Sequence, residues 1–137
     1  MRNLFTYGSL MCEDIMFAVT GEPLRHTPAL LPRYRRFLVK NEQYPGVVPS
    51  VEGQVQGVVY HDISPKGWSR LDRFEGDLYT RGLVAVRYEK GDEAMAYCYV
   101  FRPEFRDRLT GEEWDFETFL RRGKKIFQTR YSGFRDI

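Results

Sequence analysis

Runs of alternating apolar and polar positions, punctuated by proline and glycine, divide the chain into short strands and a few helices. Leu4-Phe5-Thr6-Tyr7 reads as a first strand ended by Gly8. Met11 to Val19 follows as a short helix, with Ser9 near its start and Gly21-Glu22-Pro23 as its stop. Ala29-Leu30-Leu31 and Phe37-Leu38-Val39 are predicted strands interrupted by Pro32. Residues 41–53 hold Pro45, Gly46, Pro49 and Gly53 and read as a loop region with room for one extended piece at Val47-Val48. From Gln54 to His61 the chain alternates, Val55 and Val59 facing away from Gln54, Gln56, Val58 and Tyr60. Gly57 inside that strand marks a bulge or a close backbone approach.

The pattern then changes period. Ser64 is a good cap and Pro65 suits a first helical position, so a helix runs from Pro65 to Phe74 or Glu75 and stops at Gly76-Asp77. Thr80 to Glu89 and Glu93 to Phe101 form a predicted hairpin around Lys90-Gly91-Asp92. Both strands carry sizeable side chains on both faces, as expected if one face fills a barrel and the other lies under a helix. Thr110 followed by Glu113 reads as a capping box for a second helix, with its apolar stripe at Phe116, Phe119, Leu120, Gly123 and Phe127. The tail after Thr129 still holds Tyr131 and Phe134. Six or seven strands and two or three helices without strict βαβ alternation predict an α+β domain: a small mixed β-barrel, or strongly curved sheet, with flanking helices.

Bulk properties narrow the function. A length of 137 residues suits one domain spanning 1–137 and one enclosed core. Twenty-one basic against 19 acidic residues leave a formal charge of +2, too little for a phosphate-tracking surface, so no nucleic-acid partner is expected. The short clusters Arg33-Tyr34-Arg35-Arg36 and Arg121-Arg122-Gly123-Lys124-Lys125 read as solvated surface, the second at a helix end. Cys12 and Cys98 form no CxxC pair and suggest reduced thiols. Met1 to Leu10 lacks a basic segment followed by an apolar run, and no stretch is long and apolar enough to span a bilayer. The expectation is a soluble, cytoplasmic protein without a membrane partner, monomeric by default. An aromatic share of 15% points to a core of large rings or a ring-walled cavity.

Candidate chemistry is sparse. No GxGxxG, GxxxxGK[ST] or HExxH motif occurs, so neither a nucleotide-phosphate loop nor a zinc site has support, and no cofactor or metal is expected. His26 and His61 lie far apart; Cys98 in its strand reads as core, and Cys12 has no evident histidine partner. Two features stand out. Tyr7-Gly8-Ser9-Leu10 ends a strand and opens a helix, which makes it either a plain turn or a nest of N–H groups for an anion. Glu75 shares a helix face with Trp68, Leu71 and Asp72 at the helix's C-terminal end. There it is either an ordinary helix-end carboxylate or a buried acid/base whose pKa burial and the helix dipole raise. Tyr44, beside Pro45 and Gly46, together with Tyr79, Arg81 and Tyr131, are either packing or pocket wall.

Taken together, Tyr7-Gly8-Ser9-Leu10, Tyr44-Pro45-Gly46 and Leu71-Asp72-Arg73-Phe74-Glu75-Gly76 with Tyr79 and Arg81 resemble the gamma-glutamylcyclotransferase-like superfamily, in its avirulence-induced-protein-like branch. The resemblance implies a small mixed barrel and an intramolecular reaction in which the α-amino group of a gamma-glutamyl amine or peptide attacks the γ-carbonyl, giving 5-oxoproline and a free amine. It implies Glu75 as the catalytic acid/base and Gly8, Ser9 and Leu10 as binders of the glutamyl part, with Tyr7 lining the substrate pocket; Tyr44, Tyr79 and Tyr131 are further substrate-binding candidates from the residues themselves. The small-molecule partner would be a gamma-glutamyl compound, and no metal or cofactor is implied. Met11-Cys12-Glu13-Asp14 departs from the glutamylamine-specific pattern, which leaves the leaving amine open. The alternative is a non-catalytic module that holds a small carboxylate or amide in the same pocket. A purely structural protein would instead expose Phe116, Phe119 and Phe127 and lack a cavity at Glu75.

Overall fold

The computed structural model describes residues 2–137. Its strands are β1 (Leu4–Thr6), β2 (His26–Val39), β3 (Pro45–Tyr60), β4 (Tyr79–Tyr88), β5 (Glu93–Phe101) and β6 (Leu109–Glu113). They join in the order β3-β1-β5-β4-β2-β6, and a further β2–β3 pairing closes the first five into a barrel. All neighbours are antiparallel except β1 and β5, whose parallel pairing is marked by Leu4 opposite Tyr97. The helices are α1 (Glu13–Thr20), α2 (Pro65–Glu75), the short α3 (Phe116–Thr118), α4 (Lys124–Arg130) and α5 (Gly133–Asp136). No described helix is long and apolar enough to cross a membrane.

Closure leaves two apolar layers. Alternating residues Phe5, Leu31, Val47, Val55, Val59, Val84, Val86, Ala96 and Cys98 fill the barrel. The opposite faces of β1, β3 and β5 carry Leu4, Tyr60 and Tyr99 into a second layer beneath α1 and α2, with Ile15, Val19, Leu71 and Phe74. β5 thus packs on both faces. β4 does not: Val84 and Val86 point inward, whereas Leu83 is 52% exposed, since no helix covers that side. At Gly57, a Cβ would stand 2.1 Å from the carbonyl oxygen of Thr6, so β1 crosses β3 closely there, one of the two possibilities that the glycine announced.

Several boundaries differ from those expected. Residues 41–53 are mostly strand. β3 begins at Pro45 and pairs with β2 from Leu38↔Pro45 to His26↔Tyr60, with an irregularity between Pro32 and Tyr34 where Arg33 takes φ 71°. The prolines are tolerated because Pro45 opens the strand and Pro49 stands at the irregularity. The chain from Ser9 to Met11 winds as a 3₁₀ turn before α1 begins at Glu13, two residues later than expected. Thr110 and Glu113 are not a capping box. They lie in β6, where Glu113 pairs with Phe37 and the Thr110 hydroxyl donates to the Leu38 carbonyl at 2.8 Å. The helix is capped instead by Asp115, which accepts from the Thr118 N–H at 2.9 Å.

Phe119 to Gly123 forms a π-turn between α3 and α4. Its extra residue rotates the stripe, so Phe119 and Phe127 are buried while Leu120 is 41% exposed. The basic cluster 121–125 therefore lies inside a helical run and not at its end, and Lys124 pairs with Asp14 at 3.0 Å.

Candidate active site

The pocket is built around the end of α2. Ser64 accepts the Gly67 N–H at 3.0 Å and Pro65 opens the helix, which sets its register. Gly67, Trp68, Leu71 and Phe74 then form the buried face. Trp68 meets Tyr97 of β5 edge-on at 5.4 Å, and Asp72, exposed beside that face, accepts the Tyr99 hydroxyl at 2.7 Å. Arg81 holds the same carboxylate side-on, Nε to Oδ1 and Nη2 to Oδ2 both at 3.2 Å, and lies over the Trp68 and Tyr97 rings. Asp72 is thus a structural clamp between α2 and the barrel.

One turn later, Glu75 has no such partner. Among the described residues, nothing donates a hydrogen bond to its carboxyl oxygens. Although the residue as a whole keeps intermediate exposure, protein closely surrounds its carboxyl group, which borders the pocket. Burial, and secondarily the charge of Asp72, push its pKa from 4.5 up to about 8. The backbone that carries it is fixed from the tail: the Tyr131 hydroxyl donates to the carbonyls of Phe74 at 2.6 Å and Glu75 at 3.1 Å.

Glu75 lines one narrow cavity, of about 30 Å³, together with Tyr7, Gly8, Ser9, Leu10, Tyr44, Tyr79 and Tyr131. The structure therefore brings Glu75, the glycine–serine loop and all four candidate tyrosines to one cavity. Arg81 stays outside, engaged with Asp72. In the loop, Met11 donates to the Gly8 carbonyl at 3.0 Å and Cys12 to that of Ser9 at 3.1 Å. Among the described residues, the N–H groups of Gly8, Ser9 and Leu10 donate to no backbone acceptor. At Gly8 a Cβ would stand 2.8 Å from Pro45 Cδ, so the missing side chain admits the Pro45 ring.

Two of the lining tyrosines tie the cavity wall to neighbouring backbone. Tyr7 donates its hydroxyl to the Tyr99 carbonyl at 2.5 Å, and Tyr79 donates to that of Pro45 at 2.7 Å. Burial raises the pKa of Tyr7, Tyr79, Tyr99 and Tyr131, and pushes Tyr44 up to about 12. All are neutral phenols near neutral pH, leaving Glu75 as the ionisable group of the cavity that titrates in that range.

Phe5, Thr6, Pro45, Phe74, Tyr99 and Phe127 also line the cavity and were not singled out from the sequence as site residues. For Phe127 a signal existed: it precedes Tyr131 by four residues, and the two rings stack with centroids 4.7 Å apart. Phe119 and Phe127 are buried, against the expectation for a purely structural protein. Neither histidine and neither cysteine lines the cavity. No group of three or more His, Cys, Asp or Glu among the described residues converges as a metal site.

The family described as "Gamma-glutamyl cyclotransferase, AIG2-like" matches residues 4–116. AIG2-like protein A of Arabidopsis thaliana is 33% identical over 128 residues, which cover 93% of this chain and 77% of that protein. AIG2-like protein B of the same plant is 32% identical over 130 residues, 93% and 74% of the two chains. A solution structure of an Arabidopsis thaliana protein superposes with a TM-score of 0.74 at 30% identity, covering 93% of this chain and 87% of that one. A solved gamma-glutamyl cyclotransferase shares the fold at 18% identity, with a TM-score of 0.66 over 74% of this chain and 66% of that one. The closed barrel with its pocket accordingly defines a gamma-glutamyl cyclotransferase-like protein. The chain belongs to the AIG2-like gamma-glutamyl cyclotransferase family. Phe127 and Tyr131, two of the pocket's walls, lie beyond the matched segment.

Proposed function

We propose that this protein is a gamma-glutamyl cyclotransferase that converts a gamma-glutamyl amine or peptide into 5-oxoproline and a free amine, with Glu75 as its general acid/base. The observation that carries the reading is an unpartnered carboxyl group of raised pKa sharing one cavity with the free N–H groups of Gly8, Ser9 and Leu10. Those N–H groups suit the substrate's α-carboxylate, and the ring walls of Tyr7, Tyr44, Tyr79 and Tyr131 suit the methylene chain.

Glu75 takes a proton from the α-ammonium group, and the freed amine attacks the γ-carbonyl carbon. A ring C–N bond forms and the carbonyl electrons move to oxygen. When they return, the bond to the leaving nitrogen breaks as Glu75 delivers its proton there. The ring nitrogen gives up its own second proton, so both protons shed by the α-nitrogen end on the leaving amine. A carboxyl group with a pKa near the working pH serves in both directions. Because attack is intramolecular, the enzyme's main task is to hold the chain in its ring-like conformation.

The test is 5-oxoproline release from a panel of gamma-glutamyl amines, gamma-glutamyl dipeptides and glutathione. At least one is expected to turn over, and Glu75→Gln is expected to abolish turnover while retaining the native circular dichroism spectrum. Release from none of them overturns the proposal.

A further inference from the structure

Arg36 belongs to a basic cluster expected at the solvated surface, but the structure places its guanidinium against the glycine–serine loop. Thr6 is the last residue of β1 paired with β3, opposite Val58. Beyond it, β1 gives way to the loop, and among the described residues no backbone N–H outside the strands donates to the Tyr7 carbonyl. Nη1 of Arg36 donates to that carbonyl at 2.8 Å and to the Gln56 carbonyl at 3.1 Å. The guanidinium carbon lies 5.1 Å from the centroid of the Trp114 ring, and Trp114 is itself tied to the Gln43 carbonyl by its indole N–H at 2.8 Å. Nε of Arg36 is buried without a partner, a cost that two charge-assisted bonds and the ring contact offset.

The Tyr7 carbonyl and the Gly8 N–H belong to one peptide plane and point to opposite sides of it. Fixing the carbonyl toward Arg36 therefore fixes the N–H away from Arg36, at a residue that lines the cavity. A cation bonded to the carbonyl also polarises the peptide and strengthens its N–H as a donor. The positive charge further favours an anion on the far side of that peptide.

We propose that Arg36 is a positioning residue that aims and polarises the Gly8 amide for the substrate's α-carboxylate, without touching the substrate. This rests on the cyclotransferase reading of the Gly8–Leu10 amides. It differs from a general folding role in one respect: its effect should depend on whether the ligand carries a carboxylate.

Two small probes isolate that dependence, 5-oxoproline and 2-pyrrolidinone, which is the same lactam ring without the carboxylate. Both are titrated calorimetrically into wild-type protein, Arg36→Met and Arg36→Lys. Wild type is expected to prefer 5-oxoproline. Arg36→Met should lose affinity for it by about tenfold, the scale for charged hydrogen bonds, and leave 2-pyrrolidinone binding nearly unchanged. Arg36→Lys keeps the charge but not the planar fork and should fall between; it also serves if the methionine variant does not fold. With an active substrate, KM should rise by more than kcat falls. Equal losses for both probes, or an undiminished carboxylate preference in the variants, overturn the role of Arg36 while leaving the parent reading intact. Wild-type protein without any carboxylate preference overturns the parent reading and this inference with it.

Discussion

Replacing Glu75 by glutamine tests the electrostatics of the pocket without relying on turnover. In the unfolded chain the carboxyl group has a pKa near 4.5, and in the folded protein burial and Asp72 lift it to about 8. Between these values the native state holds a proton that the unfolded state has released. Stability from this group is therefore complete below about pH 4.5 and is lost as the pH rises through about 8. At about 1.4 kcal/mol per pH unit, the interval from 4.5 to about 8 corresponds to a ceiling of about 5 kcal/mol, of which about 3 kcal/mol is already lost at pH 7. Solvent reaching the cavity lowers that ceiling. Glutamine is close to isosteric and uncharged throughout, so the variant lacks this pH-dependent penalty, and the remaining titrating groups are common to both proteins. Urea denaturation at half-unit steps from pH 4.5 to 9 should show Glu75→Gln gaining on wild type as pH rises. A relative gain of at least about 2 kcal/mol by pH 8.5 is expected, about 6 °C in melting temperature for a chain of this size. A stability difference that stays flat across the range refutes the raised pKa, and with it the physical basis for Glu75 as a base near neutrality.

Three further outcomes follow from the same geometry. The acidic limb of kcat/KM should have an apparent pKa near 8 and fall about tenfold per pH unit below it; Asp72→Asn, which removes a nearby negative charge, should move that limb to lower pH, and a profile that does not move would falsify the coupling. Gly8→Ala places a methyl group 2.8 Å from Pro45 Cδ and should cost about 1–3 kcal/mol in urea denaturation, with a comparable loss of activity because Pro45 also lines the cavity; an unperturbed variant would mean the ring has room to retreat. Tyr131→Phe deletes the hydroxyl that holds the Phe74 and Glu75 carbonyls and should cost about 1 kcal/mol. Faster amide exchange at the end of α2 should accompany that loss, and exchange at the wild-type rate would count against the tail as a brace for Glu75.

What the amino-acid order alone determined is local. A cap at Ser64, a proline at the next position and an apolar face every third or fourth residue are enough to make α2 and to leave Glu75 at its end, because each depends on neighbours within one or two turns. The Tyr88 to Glu93 turn was legible for the same reason, with Gly91 at φ 93°. The glycine–serine loop was visible as a loop, yet its spacing did not reveal that Pro45 occupies the room beside Gly8 or that three of its N–H groups lack backbone acceptors among the described residues. The second helix shows the limit from the other side. Thr110 and Glu113 have the spacing of a cap, but pairing with β2 claims them for β6, and a π-turn rotates the stripe that a uniform helix would present.

The tertiary structure decided everything that depends on partners distant in sequence. Closing β2 onto β3 overrode the prolines of residues 41–53, since a paired ladder satisfies many backbone groups together where local propensity acts on one residue at a time. Closure also brought Arg36 to the Tyr7 carbonyl, 29 positions away, and Tyr131 to the end of α2, 56 positions from Glu75. The unusual acidity of Glu75 belongs to this second category. Its place on an amphipathic helix could be read from spacing, but the protein that surrounds its carboxyl group, and the lack of a donor to it among the described residues, come from the barrel, the loop and the tail meeting at one cavity. A carboxyl group's pKa is set by what replaces water around it, and a linear sequence does not contain that neighbourhood.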